Sequence, residues 1–175
     1  YQFLFDPSTA AESGLVLAST DLDSAGAAVI LDTSARRQLV PMLEWLDRFA
    51  GEVIVIDHHA RGDVRADLAL VDESSPATAV LVARILDRLG WLADPRIAEY
   101  LLVGLATDTG WFSYNNVSSG CFAWAARLAE CGASLHATYE RLFRADSPAR
   151  FRLLARALGS AELLADDRAV VFTLT

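Results

Sequence analysis

Residues 52–63 read EVIVIDHHARGD. The four β-branched apolar residues from Val53 to Ile56 have the composition of a strand covered on both faces, as in a parallel sheet. The run ends in Asp57, His58 and His59, and these two histidines are two of only three in the chain. In open α/β sheets ligands bind beyond the carboxyl ends of the strands. Such a rim is where a carboxylate and two imidazoles in sequence can act on a ligand.

Working outward, short apolar runs alternate with segments of helical period, the pattern of a parallel sheet with crossover helices. Further strands are expected at Leu15–Ala18, Ala27–Leu31 and Leu68–Val71. Between the second and third strands lies RRQLVPMLEWLDRFAG, where Leu39, Leu43, Leu46 and Ala50 share one face and Gly51 is placed to close a helix in a left-handed cap. SSPATAVLVARILDRLG follows the last strand, with Ser75 as expected N-cap, Pro76 in the first helical position, Val82, Ile85, Leu86 and Leu89 as the apolar stripe, and Gly90 as the stop. The same grammar recurs at Asp94–Pro95 and Ser147–Pro148. The expected fold is therefore α/β, a parallel sheet with crossover helices followed by a mainly helical C-terminal half. DRAVVFTLT at the end reads as one more strand.

The chain has 175 residues, 53% of them hydrophobic, enough for one well-packed domain. Its formal charge is -8 and every cation is arginine, so no basic face for duplex nucleic acid is indicated. An acidic protein can still act on phosphates when its carboxylates hold divalent cations. No apolar run reaches membrane-spanning length and the first residues lack the basic start of a signal peptide, so the expectation is a cytoplasmic protein without a membrane partner. Cys121 and Cys131 lack the spacing of a zinc site and read as small buried hydrophobes. Trp45, Trp91, Trp124 and Phe151 fall at helical spacing and are expected in the core.

Asp32 follows the Ala27–Leu31 strand, so two successive strands deliver Asp32, Asp57, His58 and His59 to one rim. The helix beginning at Pro95 runs into ATDTGWF, where Thr107, Asp108 and Thr109 interrupt the apolar pattern. Carboxylates with imidazole suit Mn²⁺ or a similar first-row ion, whereas an all-oxygen set favours Mg²⁺ or Ca²⁺. A single Asp after a strand is more often a turn former than a ligand. Trp111 and Phe112 can offer a stacking face to a base or pack in the core, and the pattern leaves both open.

VIVIDHH, preceded by AAVILDTS and followed by GLATDTGWFSY in the same order, resembles the motif series of the DHH phosphoesterase superfamily. The likeness is to the RecJ-like branch of oligoribonucleases and pAp phosphatases, and it spans about Ala27 to Leu164, including DESSPATAVLVARIL and RLAECGASLHATYERLF. The resemblance implies a Rossmann-like DHH domain that hydrolyses short single-stranded oligonucleotides or small nucleotides such as pAp or pApA. It implies Mn²⁺ as cofactor, with Mg²⁺ or Co²⁺ as substitutes, and leaves open a homodimer. Carried over, Asp32 matches an aspartate bridging two metal ions and His58 and Asp108 match ligands of the second ion. Asp57 would orient the site or ligate directly, and His59 would meet a substrate phosphate as a catalytic group. Thr109, Gly110, Trp111 and Phe112 would line the substrate.

The sequence also departs from that family. No histidine precedes His58, so the HxxxDxD motif is absent; Asp21 and Asp23 in TDLDSAG supply a DxD without one. No glycine-rich GGGH-like segment follows, and Ser113 stands where relatives often carry a basic residue. The expectation is a piece of a longer protein: residues 1–164 as a DHH domain lacking its first-strand motif and 165–175 as the start of a connection to a substrate-binding domain. Two alternatives stand beside the nuclease reading, a family II-like inorganic pyrophosphatase and a non-catalytic domain of the same fold.

Overall fold

Three parallel strands carry the rim. In the computed structural model, which describes residues 22, 25–60, 62–164, 166 and 168–173, β1 (Ala27–Leu31), β2 (Glu52–Asp57) and β3 (Leu68–Val71) form one sheet in the order β1-β2-β3. Leu31 pairs with Ile56 and Asp57 with Val71, so Asp32 and Asp57 leave the carboxyl ends of neighbouring strands. The expected strand Leu15–Ala18, with Asp21 and Asp23, lies outside the described residues.

The β1–β2 crossover differs from the expected helix. Pro41 cannot donate a backbone hydrogen bond, and the segment breaks into 3-10 turns at Arg36–Gln38 and Val40–Met42 before a short helix, α1 (Leu43–Arg48). That helix ends in the extended Phe49, and Gly51 is not in the left-handed region. Gly51 is required for a different reason: a Cβ there would overlap the Gly26 carbonyl oxygen and the Phe49 ring.

Three helices build the core of the first unit, residues 1–138. They are α2 (Thr78–Arg88), α3 (Pro95–Asp108) and α4 (Ser119–Glu130), and their centre includes Leu102, Leu105, Leu128 and Ala98, all essentially free of solvent. At Gly104 α3 passes so near α2 that a Cβ would stand 2.7 Å from that of Ala79. Asp94 caps α3 by accepting from Arg96 N, with Pro95 behind it, as the sequence predicts. For α2 the expected start is displaced: Ala77 is the N-cap, and the Ser75 hydroxyl donates to the Ala77 carbonyl. Gly90 terminates α2 in the left-handed region, with Trp91 N donating to Leu86 O. Of the expected stripe, Val82 and Leu86 pack against the core and Leu89 is exposed, while Val80, Leu81 and Ala83 are more deeply buried. Cys121 is buried but Cys131 only partly so, and Trp91 and Phe151 are exposed, against expectation.

α5 (Leu135–Tyr139) leads into the second unit, residues 139–175. This holds a π-helical turn at Glu140–Arg144 and α6 (Pro148–Gly159), capped by Ser147 as predicted. It ends in an antiparallel hairpin of β4 (Glu162–Leu164) and β5 (Ala169–Val171). No helix among the described residues is long and apolar enough to cross a membrane.

Candidate functional site

The backbone at Asp32 determines how the rim opens. Asp32 turns out of β1 through the left-handed region at φ 65°, a conformation Asp tolerates better than most residues. Its N–H still donates to Ile56 O at 3.0 Å, so the turn stays tied to β2. One strand over, Asp57 is completely buried. Its Oδ1 accepts from the backbone N–H of His59 at 3.1 Å and from His59 Nδ1 at 2.8 Å. Burial pushes the Asp57 carboxyl up, but hydrogen bonds from His59 and the Ser34 hydroxyl together hold the group below the usual carboxylate range. The hydrogen bond to Asp57 in turn raises the His59 imidazole. Asp57 Oδ2 is buried and makes no hydrogen bond of good geometry, although the Ser34 hydroxyl acts on the same carboxyl.

His58 occupies the centre. Its Nδ1 lies 3.2 Å from the Ser75 carbonyl, an acceptor, so Nδ1 carries a proton and Nε2 is the ring nitrogen that can ligate when the ring is neutral. Nε2 is 3.6 Å from Asp32 Oδ1 and 3.6 Å from Asp108 Oδ2. The long separation between Asp108 and the strand residues in sequence is closed by α3, whose last residue is Asp108. Burial raises the Asp108 carboxyl, and the nearby Asp32 carboxylate raises it further. The His59 ring meets His58 edge to face with centroids 4.3 Å apart. Ligand atoms of Asp32, His58 and His59 all lie within 4.8 Å of one another.

These features fit a divalent cation. The His58 imidazole, oriented by a carbonyl on its far nitrogen, faces the Asp32 and Asp108 carboxylates, and Asp32, His58 and His59 bring three ligand atoms together.

The turn after α3 corrects part of the expected substrate lining. Thr109 is fully buried, donating from Oγ1 to Leu105 O at 2.6 Å and accepting from Phe112 N at 3.2 Å, so it builds the turn and has no surface for a ligand. Gly110, Trp111 and Phe112 all take positive φ, and a Cβ on Gly110 would overlap the Tyr114 ring. Phe112, partly buried, packs against the helical core and stacks on the exposed Phe122 at 5.3 Å. Trp111 remains partly exposed, edge-on to Phe112. Sequence reasoning missed Ser75, which acts through its carbonyl, and Asn116, whose side chain spans two loops. Backbone acceptors carry no sequence signature; the extra asparagine in SYNNVSS carried one, unread.

None of the known protein-family models matches the chain. It is 39% identical over 113 residues to the bifunctional oligoribonuclease and PAP phosphatase NrnA of Thermus thermophilus, covering 63% of this chain and 34% of that protein. It is 30% identical over 116 residues to an uncharacterized protein of Mycoplasma genitalium, covering 66% and 35%. An exopolyphosphatase-related protein from Bacteroides fragilis shares the fold with a TM-score of 0.76 at 24% identity, over 81% of this chain and 42% of that one. The chain thus spans about a third of the length of the curated relatives it matches.

Proposed function

Since this chain belongs to the DHH phosphoesterase superfamily, homologous to part of the NrnA-type proteins, we propose that its rim is the metal-binding part of a phosphoesterase site acting on short oligonucleotides or small nucleotide phosphates. The observation that carries this reading is the His58 imidazole, held by Ser75 with its Nε2 facing the Asp32 and Asp108 carboxylates. Asp32, His58 and Asp108 would hold a cation, and Mn²⁺ suits their mixed oxygen and nitrogen set. Asp57, whose Oδ1 holds His59 by two hydrogen bonds, would orient the site. Bound divalent cations lower the pKa of an attacking water and offset charge on the phosphoryl oxygens.

The remaining work falls to this chain's own groups. His59 Nδ1 is engaged by Asp57, which leaves Nε2 as the ring nitrogen open to a ligand. The Asp57 carboxylate favours the protonated ring, so Nε2–H can donate to a phosphate oxygen and keep its charge while doing so. Trp111 is the partly exposed aromatic beside Asp108 in the chain and offers the stacking face for a base.

The test is titration calorimetry with Mn²⁺ on the 175-residue chain, paired with turnover of pApA and of pyrophosphate. One ion bound weakly per chain and a small Mn²⁺-dependent turnover of pApA alone are the expected results. Cleavage of pyrophosphate without pApA turnover would turn the assignment towards a pyrophosphatase; no ion uptake at any concentration would end the metal reading.

A further inference from the structure

We infer that Asn116 is a positioning residue that holds His58 and Asp108 in register with each other, an inference that rests on the metal-binding reading above. Its Nδ2 donates to the Pro76 carbonyl at 3.1 Å and to the Asp108 carbonyl at 3.1 Å. Both partners are acceptors only, so the amide must present its nitrogen to them, and both of its protons are used.

One bond lands beside Ser75, the partner of a proposed ligand, and the other on the backbone of a proposed ligand. Pro76 follows Ser75, whose carbonyl receives His58 Nδ1–H, so anchoring this strap anchors the acceptor that orients the imidazole. Asp108 is the final residue of α3, in the last turn, where carbonyls have no donor within the helix. Asn116 supplies that donor and fixes the backbone from which the Asp108 carboxylate projects. The circuit closes across the site, where His58 Nε2 stands 3.6 Å from Asp108 Oδ2. One amide thereby links the far side of both groups. Outer partners of this kind set ligand orientation, and their removal commonly weakens metal binding.

Asn116 is exposed, so removing it opens no cavity and the effect on the site separates from any effect on folding. The full chain would be compared with Asn116→Ala and with Asn116→Leu, which keeps the branched shape and removes both donors. Mn²⁺ affinity is read by calorimetry, and the ¹⁵N imidazole signal of His58 is read on the metal-free chain. In both variants Mn²⁺ affinity should fall by about 10- to 100-fold. The His58 signal should move from the Nδ1–H form towards a mixture of tautomers, while the urea midpoint of the metal-free chain stays close to wild type. Variants that bind Mn²⁺ within about twofold of wild type, with an unchanged His58 signal, overturn the positioning role. If wild type binds Mn²⁺ and Asp108→Asn does not, that failure belongs to Asn116 alone. If wild type takes up no Mn²⁺, the metal reading fails and this inference falls with it.

Discussion

Asp108 shows how a site residue can cost stability. Its folded pKa is raised above the ordinary 3.8, first by burial and then by Asp32, so the folded chain binds a proton there more readily than the unfolded chain does. Stability from this group therefore declines as pH rises from 3.8 through the raised value. Asp108→Asn should raise the urea midpoint relative to wild type at about pH 7 and show no advantage near pH 3.5. The same variant should lose ion binding and turnover. A lowered midpoint at neutral pH would mean that Asp108 is held by attraction to His58 more than it is opposed by Asp32. Thr109 acts the opposite way. Thr109→Val keeps the volume but leaves Phe112 N–H without its acceptor, and it should cost about 1–3 kcal/mol in denaturant unfolding.

At the scale of elements, the contact between α2 and α3 turns on Gly104. Alanine in a helix is favoured over glycine by about 1 kcal/mol. Here its Cβ would meet that of Ala79 at 2.7 Å, and an overpacked interface typically costs about 1–3 kcal/mol. The steric term should win, so Gly104→Ala destabilises the chain and Ala79→Gly in the same molecule recovers most of the loss. A stable Gly104→Ala single variant would show that the two helices can separate at little cost. At α6, Ser147→Ala removes the acceptor for Arg150 N and should cost about 1 kcal/mol, measured by urea unfolding.

For the whole molecule, the net charge of -8 and the grouping of Asp32, His58 and His59 at one rim make cation binding a stabilising event. A ligand at 100 times its Kd adds about 2.7 kcal/mol to the folded state. Mn²⁺ should therefore raise the thermal midpoint of the first unit, and EDTA should reverse it. Hydrogen exchange should slow at the ends of β1 and β2 and in the last turn of α3. Exchange in α6 of the second unit should be unmoved, because none of the proposed ligands lies there. Equal protection of both units would point to a general effect of ions on the chain.

The sequence by itself determined the parallel strands, the caps at Asp94–Pro95 and Ser147–Pro148, and the order in which Asp32, Asp57, His58 and Asp108 reach the rim. These follow from local chemistry: β-branched runs extend, proline occupies a helix's first turn, and a strand's last residue points out of its carboxyl end. Tertiary structure decided the rest. Whether Ser75 caps α2 or lends its carbonyl to His58 depends on an imidazole from another strand. Whether Phe112 faces a ligand or Phe122 depends on a run of left-handed residues after α3. Trp91 and Phe151, apolar by composition, stand exposed because burial depends on which helix face another element covers. Asn116 joins Pro76 to Asp108 only because α2 and α3 pack side by side, a pairing over long sequence distance that no local pattern encodes.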